Sequence, residues 1–303
     1  MQRTAAEWLA SLTDRGIEVE LPPVTQHVSR ADLERLLPTC DGIIAGDEPL
    51  DGALLATAPR LRVISRWGVG LDNVDLGAAR ELGIEVRNTP AAFAEEVADV
   101  AIGYAIMLAR GLHTIDAGAR AGGWPKPQGV SLAGRTIGVI GLGAIGRAVA
   151  RRGVAMAMRV VGTDPDSRAQ AAASELGVDV VERESVFDQA DVLSLNCPMT
   201  PENLHLLNAD RLRRMPTGSF VVNTARGPLI DEAALVDALR SGHLAGAALD
   251  VFETEPLPSD SPLRSFPNVI LGSHNASNTI EAVRRVNRLA IENLLAVLDP
   301  APA

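Results

Sequence analysis

The chain reads as an α/β fold with two doubly wound parallel-sheet domains, and three observations carry that prediction. Short apolar runs of strand character alternate with helix-forming segments along nearly all of the 303 residues. The composition is 47% hydrophobic but only 3% aromatic. Its core must therefore be Ala, Val, Leu and Ile, which suits helices packed on parallel strands. The third observation is one stretch, Thr136 to Asp164, reading TIGVIGLGAIGRAVARRGVAMAMRVVGTD. It has the order strand, glycine turn, helix, strand, acid of a dinucleotide-binding unit.

Each part of that stretch has a mechanical reason. Gly141 permits a tight turn off the strand Thr136–Ile140. Gly143 has no Cβ, so a pyrophosphate can approach the backbone, and Gly146 lets the helix pack closely on the strand. The helix N-terminus at Ala144 and Ile145 offers N–H groups and a positive dipole end to an anion. Asp164 lies where a carboxylate accepts hydrogen bonds from the adenosine ribose hydroxyls and repels a 2′-phosphate, so NAD is favoured over NADP.

The first region, residues 1–90, is expected to alternate in the same way. Helices are predicted over 5–12, 29–37 (capped by Ser29), 51–58 and 73–82, and strands over 17–21, 41–45, 61–65 and 84–87. The chain opens in a helix, with no strand before it. A long helix is predicted over 95–110, followed by an arm, 111–132, in which Pro125 and Pro127 forbid regular helix. Beyond Asp164, helices are predicted over 168–176, 182–189, 204–211 and 231–241, and strands over 179–181, 191–195, 219–223, 247–251 and 268–271. The last helix, 279–298, carries apolar residues at helical spacing from Ala282 to Leu298.

Bulk properties exclude several classes. A net charge of −10 without a basic tract argues against nucleic acid as a partner. No apolar run has transmembrane length and no signal peptide is evident, so no membrane partner and a cytoplasmic location are expected. Cys40 and Cys197 cannot make a disulfide framework. Lys126, the only lysine, sits in a Trp-Pro-Lys-Pro loop, which argues against Schiff-base chemistry. No metal site is assigned.

Ligands of open α/β sheets bind at the carboxyl ends of strands. Three consecutive strands are followed there by Arg226 (in Asn223-Thr224-Ala225-Arg226), by Asp250 with Glu255 five residues on, and by His274. Taken singly, each has an ordinary reading, such as a surface ion pair, a solvated turn or a cap; the joint arrangement carries the inference. It suits hydride transfer to a 2-keto acid. Arg226 would hold the carboxylate and polarise the carbonyl through two N–H groups. His274 would protonate the carbonyl oxygen, and Glu255 would orient the imidazole and favour its protonated form. His27, His113, His205 and His243 have no comparable setting and read as structural.

These residues fall in stretches that resemble the D-isomer-specific 2-hydroxyacid dehydrogenases, most of all short members like phosphoglycerate dehydrogenase. The matching stretches are GVGLDNVD (68–75), NTP (88–90), GLGAIG (141–146), NTARGPLIDEAAL (223–235), ALDVFETEP (248–256) and SHNASNT (273–279), in the family's order. The resemblance implies an NAD-binding Rossmann domain, 94–278, inserted in a flavodoxin-like substrate domain, 1–93 plus 279–303. Catalysis would rest on Arg226, Glu255 and His274. The backbone of Val69 and Gly70 would take the substrate carboxylate. Asp250 would meet the nicotinamide carboxamide, and Cys197, Pro198 and Thr200 the ribose side, with Thr224 and Ala225 also assigned to the cofactor. Members are usually homodimers through the nucleotide-binding domain, which would place the 111–132 arm at the interface, and the last helix would return to the first domain.

The chain departs from the family pattern at the missing first strand and at Ser273, where proline is common. It departs again at Ala45-Gly46-Asp47-Glu48, where phosphoglycerate dehydrogenases carry an Arg-Ser motif. Two acids there would repel a phosphate, at about 1 kcal/mol per close pair in water. Arg66 remains a candidate anion ligand. The expected substrate is a small acid with an anionic tail, such as 3-phosphoglycerate, with a phosphonate analogue, glyoxylate and hydroxypyruvate as alternatives. The competing class is an NAD(H)-sensing corepressor-like binding protein. A formate-dehydrogenase-like role is disfavoured, because that branch has glutamine where Glu255 stands.

Overall fold

The computed structural model describes residues 5–22 and 28–299. The chain divides into two compact units, Met1–Ala92 with Thr279–Ala303, and Phe93–Asn278.

The first unit begins with α1 (Ala5–Thr13) and α2 (Arg30–Leu36), then alternates β1 (Gly42–Ala45), α3 (Gly52–Leu55), β2 (Val63–Arg66), α4 (Leu76–Glu81) and β3 (Glu85–Arg87). Its three strands pair in the order β1-β2-β3, all parallel. Ser29, Asp51 and Asp75 each accept a hydrogen bond from a first-turn N–H of the helix they precede. Such caps contribute about 1 kcal/mol each.

The second unit opens with α5 (Ala94–Arg110) and α6 (Leu112–Arg120). Then come β4 (Thr136–Ile140), α7 (Ala144–Ala155), β5 (Arg159–Thr163), α8 (Ser167–Ser174), β6 (Asp179–Val180), α9 (Arg183–Gln189) and β7 (Val192–Leu195). It ends with α10 (Ala209–Arg214), β8 (Ser219–Asn223), α11 (Glu232–Arg240), β9 (Leu244–Leu249) and β10 (Val269–Leu271). The seven strands are parallel in the order β10-β9-β8-β7-β4-β5-β6. The order reverses between β4 and β7, which opens the crevice where ligands of such sheets bind. Both faces are covered. Val139, Val160, Val192 and Val222 pack with α5 and α7, while Ile140, Val161, Leu193 and Val221 pack with α9, α10 and α11. Successive strand residues thus enter opposite layers, as the pleat requires.

The chain then returns to the first unit through α12 (Ile280–Leu298), capped by Thr279. Val63 of β2 packs with Trp8, Leu12, Ile291 and Leu294 from α1 and α12, while the next residue, Ile64, packs with Leu33, Leu54 and Ala79 on the opposite face. The Ser65 hydroxyl donates to the Ala290 carbonyl at 2.8 Å, and the Trp67 indole donates to Asn287 Oδ1 at 2.6 Å.

Three expectations about elements fail. Residues 17–21 form no strand; Ile17 and Val19 pack with the α1–α12 cluster without joining a sheet. The 111–132 arm is not free of helix, because α6 ends before Pro125 and Pro127 begin to act. Residues 204–208 are not helical. Leu207 bridges to Ile230, and the helix starts later, where the Asn208 side chain accepts from Asp210 N and Arg211 N. No helix among the described residues is long and apolar enough to cross a membrane.

Candidate active site

The glycine turn sits at the reversal of strand order. Gly141 has φ +92°, and a Cβ there would lie 2.7 Å from the Cys197 nitrogen, at the end of β7. A Cβ at Gly146 would collide with the Gly141 carbonyl, whereas the space over Gly143 is open. Helix α7 begins at Gly143 without a capping side chain, so its first-turn N–H groups face that space unclaimed by one. Leu142 N–H donates to Asp164 Oδ2 at 2.7 Å and Asp166 N–H to Asp164 Oδ1 at 2.9 Å. Each carboxylate oxygen is thus anchored yet keeps a lone pair for a hydroxyl donor.

Two buried polar atoms at the same edge have no hydrogen-bond partner among the described residues, Asn196 Oδ1 after β7 and Thr224 Oγ1 after β8. Leaving such atoms unsatisfied costs about 1–3 kcal/mol each. They fit a polar ligand lying along the strand ends, as a dinucleotide does. Asn196 is the residue that sequence reasoning missed; its position directly after a strand at the reversal was the available signal. Cys197 is a neutral wall of this region, since burial pushes its thiol up to about 11. Pro198 and Thr200 follow it in the same loop, and Ala225 N–H donates to Asn223 Oδ1 at 3.0 Å.

Arg226, Asp250, Glu255 and His274 all lie in the second unit, on segments that follow β8, β9 and β10. The fully buried Asn223 shapes the first segment, accepting from Ala225 N–H and donating to the Arg226 carbonyl at 2.8 Å. Arg226 is half-buried and donates through Nη1 to the Ala225 carbonyl. Glu255 accepts from Phe252 N–H through Oε1 at 2.9 Å, and its Oε2 lies 2.8 Å from His274 Nδ1. A carboxylate so placed fixes the ring and holds a proton on Nδ1.

His274 has a left-handed backbone, φ +53°, which is uncommon outside glycine. Asp250 over-determines it. The Asp250 carbonyl accepts from His274 N–H at 2.6 Å, and Oδ2 accepts from Ala276 N–H at 2.8 Å. Tyr104, the only tyrosine, brings its hydroxyl to 3.5 Å from Asp250 Oδ1. Burial first, and the Asp250 charge second, push that phenol up to about 12. A Cβ at Gly272 would strike both Asp250 and Tyr104, so this packing needs glycine. Asp250 therefore holds the histidine segment, in addition to the nicotinamide contact expected of it.

In the first unit, the Gly68-Val69-Gly70 loop follows β2. Asn88 Nδ2 donates to the Val69 carbonyl at 2.6 Å, and the Thr89 hydroxyl and N–H both donate to the Gly68 carbonyl. The Asn-Thr-Pro motif thus holds this loop by its carbonyls. Arg66, only 4% exposed, donates to Asp47 Oδ1 at 2.5 Å and to the Trp67 carbonyl at 2.6 Å. Glu48 does not join Asp47, contrary to the paired repulsion the sequence suggested; it turns inward to accept from Val28 N–H at 3.1 Å. Arg66 therefore already faces a carboxylate.

Of the other histidines, His27 lies outside the described residues. His113 and His243 contact the carbonyls of Pro267 and Leu212. His205 does have a setting comparable to that of His274, since its Nε2 lies 2.9 Å from Glu253 Oε1. That pairing carries no sequence signature, and it gives this histidine a carboxylate partner that the sequence did not announce.

Residues 102–276 match the family profile of the D-isomer specific 2-hydroxyacid dehydrogenase, NAD binding domain. A glyoxylate reductase of Thermofilum pendens is 39% identical over 277 residues, covering 89% of this chain and 82% of that one. A D-3-phosphoglycerate dehydrogenase of Archaeoglobus fulgidus is 36% identical over 95% of this chain but 54% of its own length. The crystal structure of the TT0316 protein from Thermus thermophilus superposes with a TM-score of 0.88 at 39% identity, covering 97% of this chain and 94% of that one. With its Rossmann sheet and glycine turn, the chain belongs to the NAD-dependent D-isomer-specific 2-hydroxyacid dehydrogenases.

Proposed function

We propose that this dehydrogenase reduces a small, unphosphorylated 2-keto acid, glyoxylate or hydroxypyruvate, to the 2-hydroxyacid, glycolate or D-glycerate. The cofactor, when bound, would supply the hydride as NADH in reduction, leaving NAD+, and would take it up as NAD+ in oxidation. The carbonyl oxygen receives its proton from His274 Nε2, while Nδ1 stays paired with Glu255. Arg226 clamps the carboxylate and polarises the carbonyl with its planar fork of N–H groups. The backbone N–H groups of Val69 and Gly70 are assigned to the substrate carboxylate, and Asp164 with the turn from Gly141 to Gly146 to the cofactor. The observation that carries the catalytic assignment is the chain Phe252 N–H to Glu255 to His274, on a backbone held by Asp250.

The Asp47–Arg66 pair supports the choice of substrate. A phosphate-bearing acid needs uncompensated positive charge, and here the buried arginine already faces a carboxylate. The name of the Thermofilum relative points the same way. On this support we rank glyoxylate and hydroxypyruvate ahead of 3-phosphoglycerate, which the Archaeoglobus relative keeps as the second reading. We further infer a cytoplasmic homodimer, assembled through the arm in which Trp124 stands 83% exposed.

The test is NADH oxidation, followed by absorbance, across glyoxylate, hydroxypyruvate, phosphohydroxypyruvate and pyruvate. Turnover of glyoxylate or hydroxypyruvate at least about tenfold more efficient than of phosphohydroxypyruvate is expected. The reverse order would overturn the substrate assignment. NADH binding without turnover of any acid would favour a sensing role.

A further inference from the structure

The segments that carry Arg226 and Glu255 are tied together by side chains with no assigned role. Glu253 lies two residues before Glu255, and Glu232 opens α11, just beyond the Arg226 segment. The two exchange hydrogen bonds reciprocally. Glu253 N–H donates to Glu232 Oε1 at 2.8 Å, and Glu232 N–H donates to Glu253 Oε1 at 3.3 Å. The same Glu253 oxygen meets His205 Nε2 at 2.9 Å. His205 has φ +50°, and its own N–H donates to the carbonyl of Pro228, inside the Arg226 segment. Gly227 packs so closely on the Phe252 carbonyl that a Cβ would collide with it. Three loops, those after β7, β8 and β9, thus meet at one carboxylate.

A purely local role, capping α11, would account for the Glu232 N–H bond alone. It would not account for the return bond from Glu253 N–H, for the left-handed His205, or for the backbone contact at Gly227. The carboxyls also crowd one another. Burial, and then the charges of Glu253 and Glu255, raise the Glu232 carboxyl above its ordinary range. His205, when protonated, supplies the opposing charge.

We propose that Glu253 is a positioning residue for the reaction, and that with Glu232 and His205 it clamps the Arg226 and Glu255 segments in fixed register. The proposal rests on the assignment of Arg226, Glu255 and His274 to catalysis. Misplacing catalytic groups by about 1 Å can cost up to about a hundredfold in rate, so a clamp one residue removed from the chemistry has a measurable effect.

The experiment compares wild type, Glu253→Ala, Glu253→Gln and His205→Asn in the full chain, with two readouts. The first is amide hydrogen exchange by mass spectrometry over 227–231 and 252–255, which needs no substrate. The second is steady-state reduction of glyoxylate, with NADH affinity measured separately. In Glu253→Ala, exchange is expected to rise in both segments together. The kcat should fall about tenfold and KM for the acid should rise, while NADH affinity stays within about twofold. Glu253→Gln keeps an acceptor for Glu232 N–H and should recover most of the loss. His205→Asn tolerates the left-handed backbone and removes only the reach to Glu253; it should give an intermediate loss and serves if Glu253→Ala does not fold. Unchanged exchange over 227–231 in both Glu253→Ala and His205→Asn, or kcat and KM within about twofold of wild type in the folded variants, would overturn the clamp. If wild type reduces no 2-keto acid, the functional reading fails, and the exchange measurement still decides the clamp.

Discussion

Two glutamates on the loop after β9 each pair with a histidine from another loop. His274–Glu255 closes at 2.8 Å and His205–Glu253 at 2.9 Å, and both histidines have left-handed backbones. Their surroundings differ. Glu255 uses its second oxygen on Phe252 N–H, within its own loop, while Glu253 reaches across to the first turn of α11. The His274 segment is fixed to the buried Asp250 at the end of a strand; His205 is fixed to the carbonyl of Pro228 in a neighbouring loop. On the assignments proposed above, the same pair geometry serves two ends: one pair orients a proton carrier, the other ties loops. A histidine beside a carboxylate is not by itself a sign of acid–base chemistry, and what the pair is anchored to decides its use.

Mutagenesis separates the pairs most widely at the imidazoles. His274→Ala should lower turnover by at least about a hundredfold while NADH affinity, measured by fluorescence titration, stays nearly unchanged. That loss should exceed the loss in His205→Asn by an order of magnitude or more; equal losses would collapse the distinction between them. Arg226→Lys comes next. A point charge cannot replace the bidentate fork, so kcat/KM for the acid should fall by about tenfold to a hundredfold. Near-normal steady-state kinetics would remove Arg226 from the carboxylate clamp and weaken the case that the His205–Glu253 pair guards its register. Asp164→Ala is the smallest and most remote change. It should leave both pairs intact and only narrow the preference for NAD over NADP, by about tenfold in the ratio of kcat/KM values. An unchanged ratio would mean that another group sets cofactor choice.

Much of the second unit is legible in the sequence because its constraints are local. Gly141 and Gly146 have no room for a Cβ, and Thr136–Ile140 and Ser219–Asn223 are apolar runs covered on both faces. Arg226, Asp250, Glu255 and His274 are legible as polar residues following strands, because a parallel sheet delivers such positions to one edge. Non-local features are not legible. Ile17 and Val19 look like a strand but find only helix α12 and its neighbours to pack on. Residues 204–208 look helical until Leu207 pairs with Ile230, far along the chain. Helix α6 is hidden by prolines whose steric reach is shorter than the segment that holds them. The His205–Glu253 contact joins residues with no common motif, and the inward turn of Glu48 depends on Val28, from another loop.

Helix α12 has a consequence for how the protein is made. One face of the first unit's sheet, with Val63 at its centre, is covered by Ile291 and Leu294. Those residues leave the ribosome only after the whole second unit has been synthesised. During synthesis the early strands have α1 but not yet α12 to cover that face, while the later-made second unit holds all of its own sheet and can fold first. A nascent chain stalled near Asn278 would therefore pair a finished nucleotide-binding unit with a sticky, half-covered one, a natural client for chaperones.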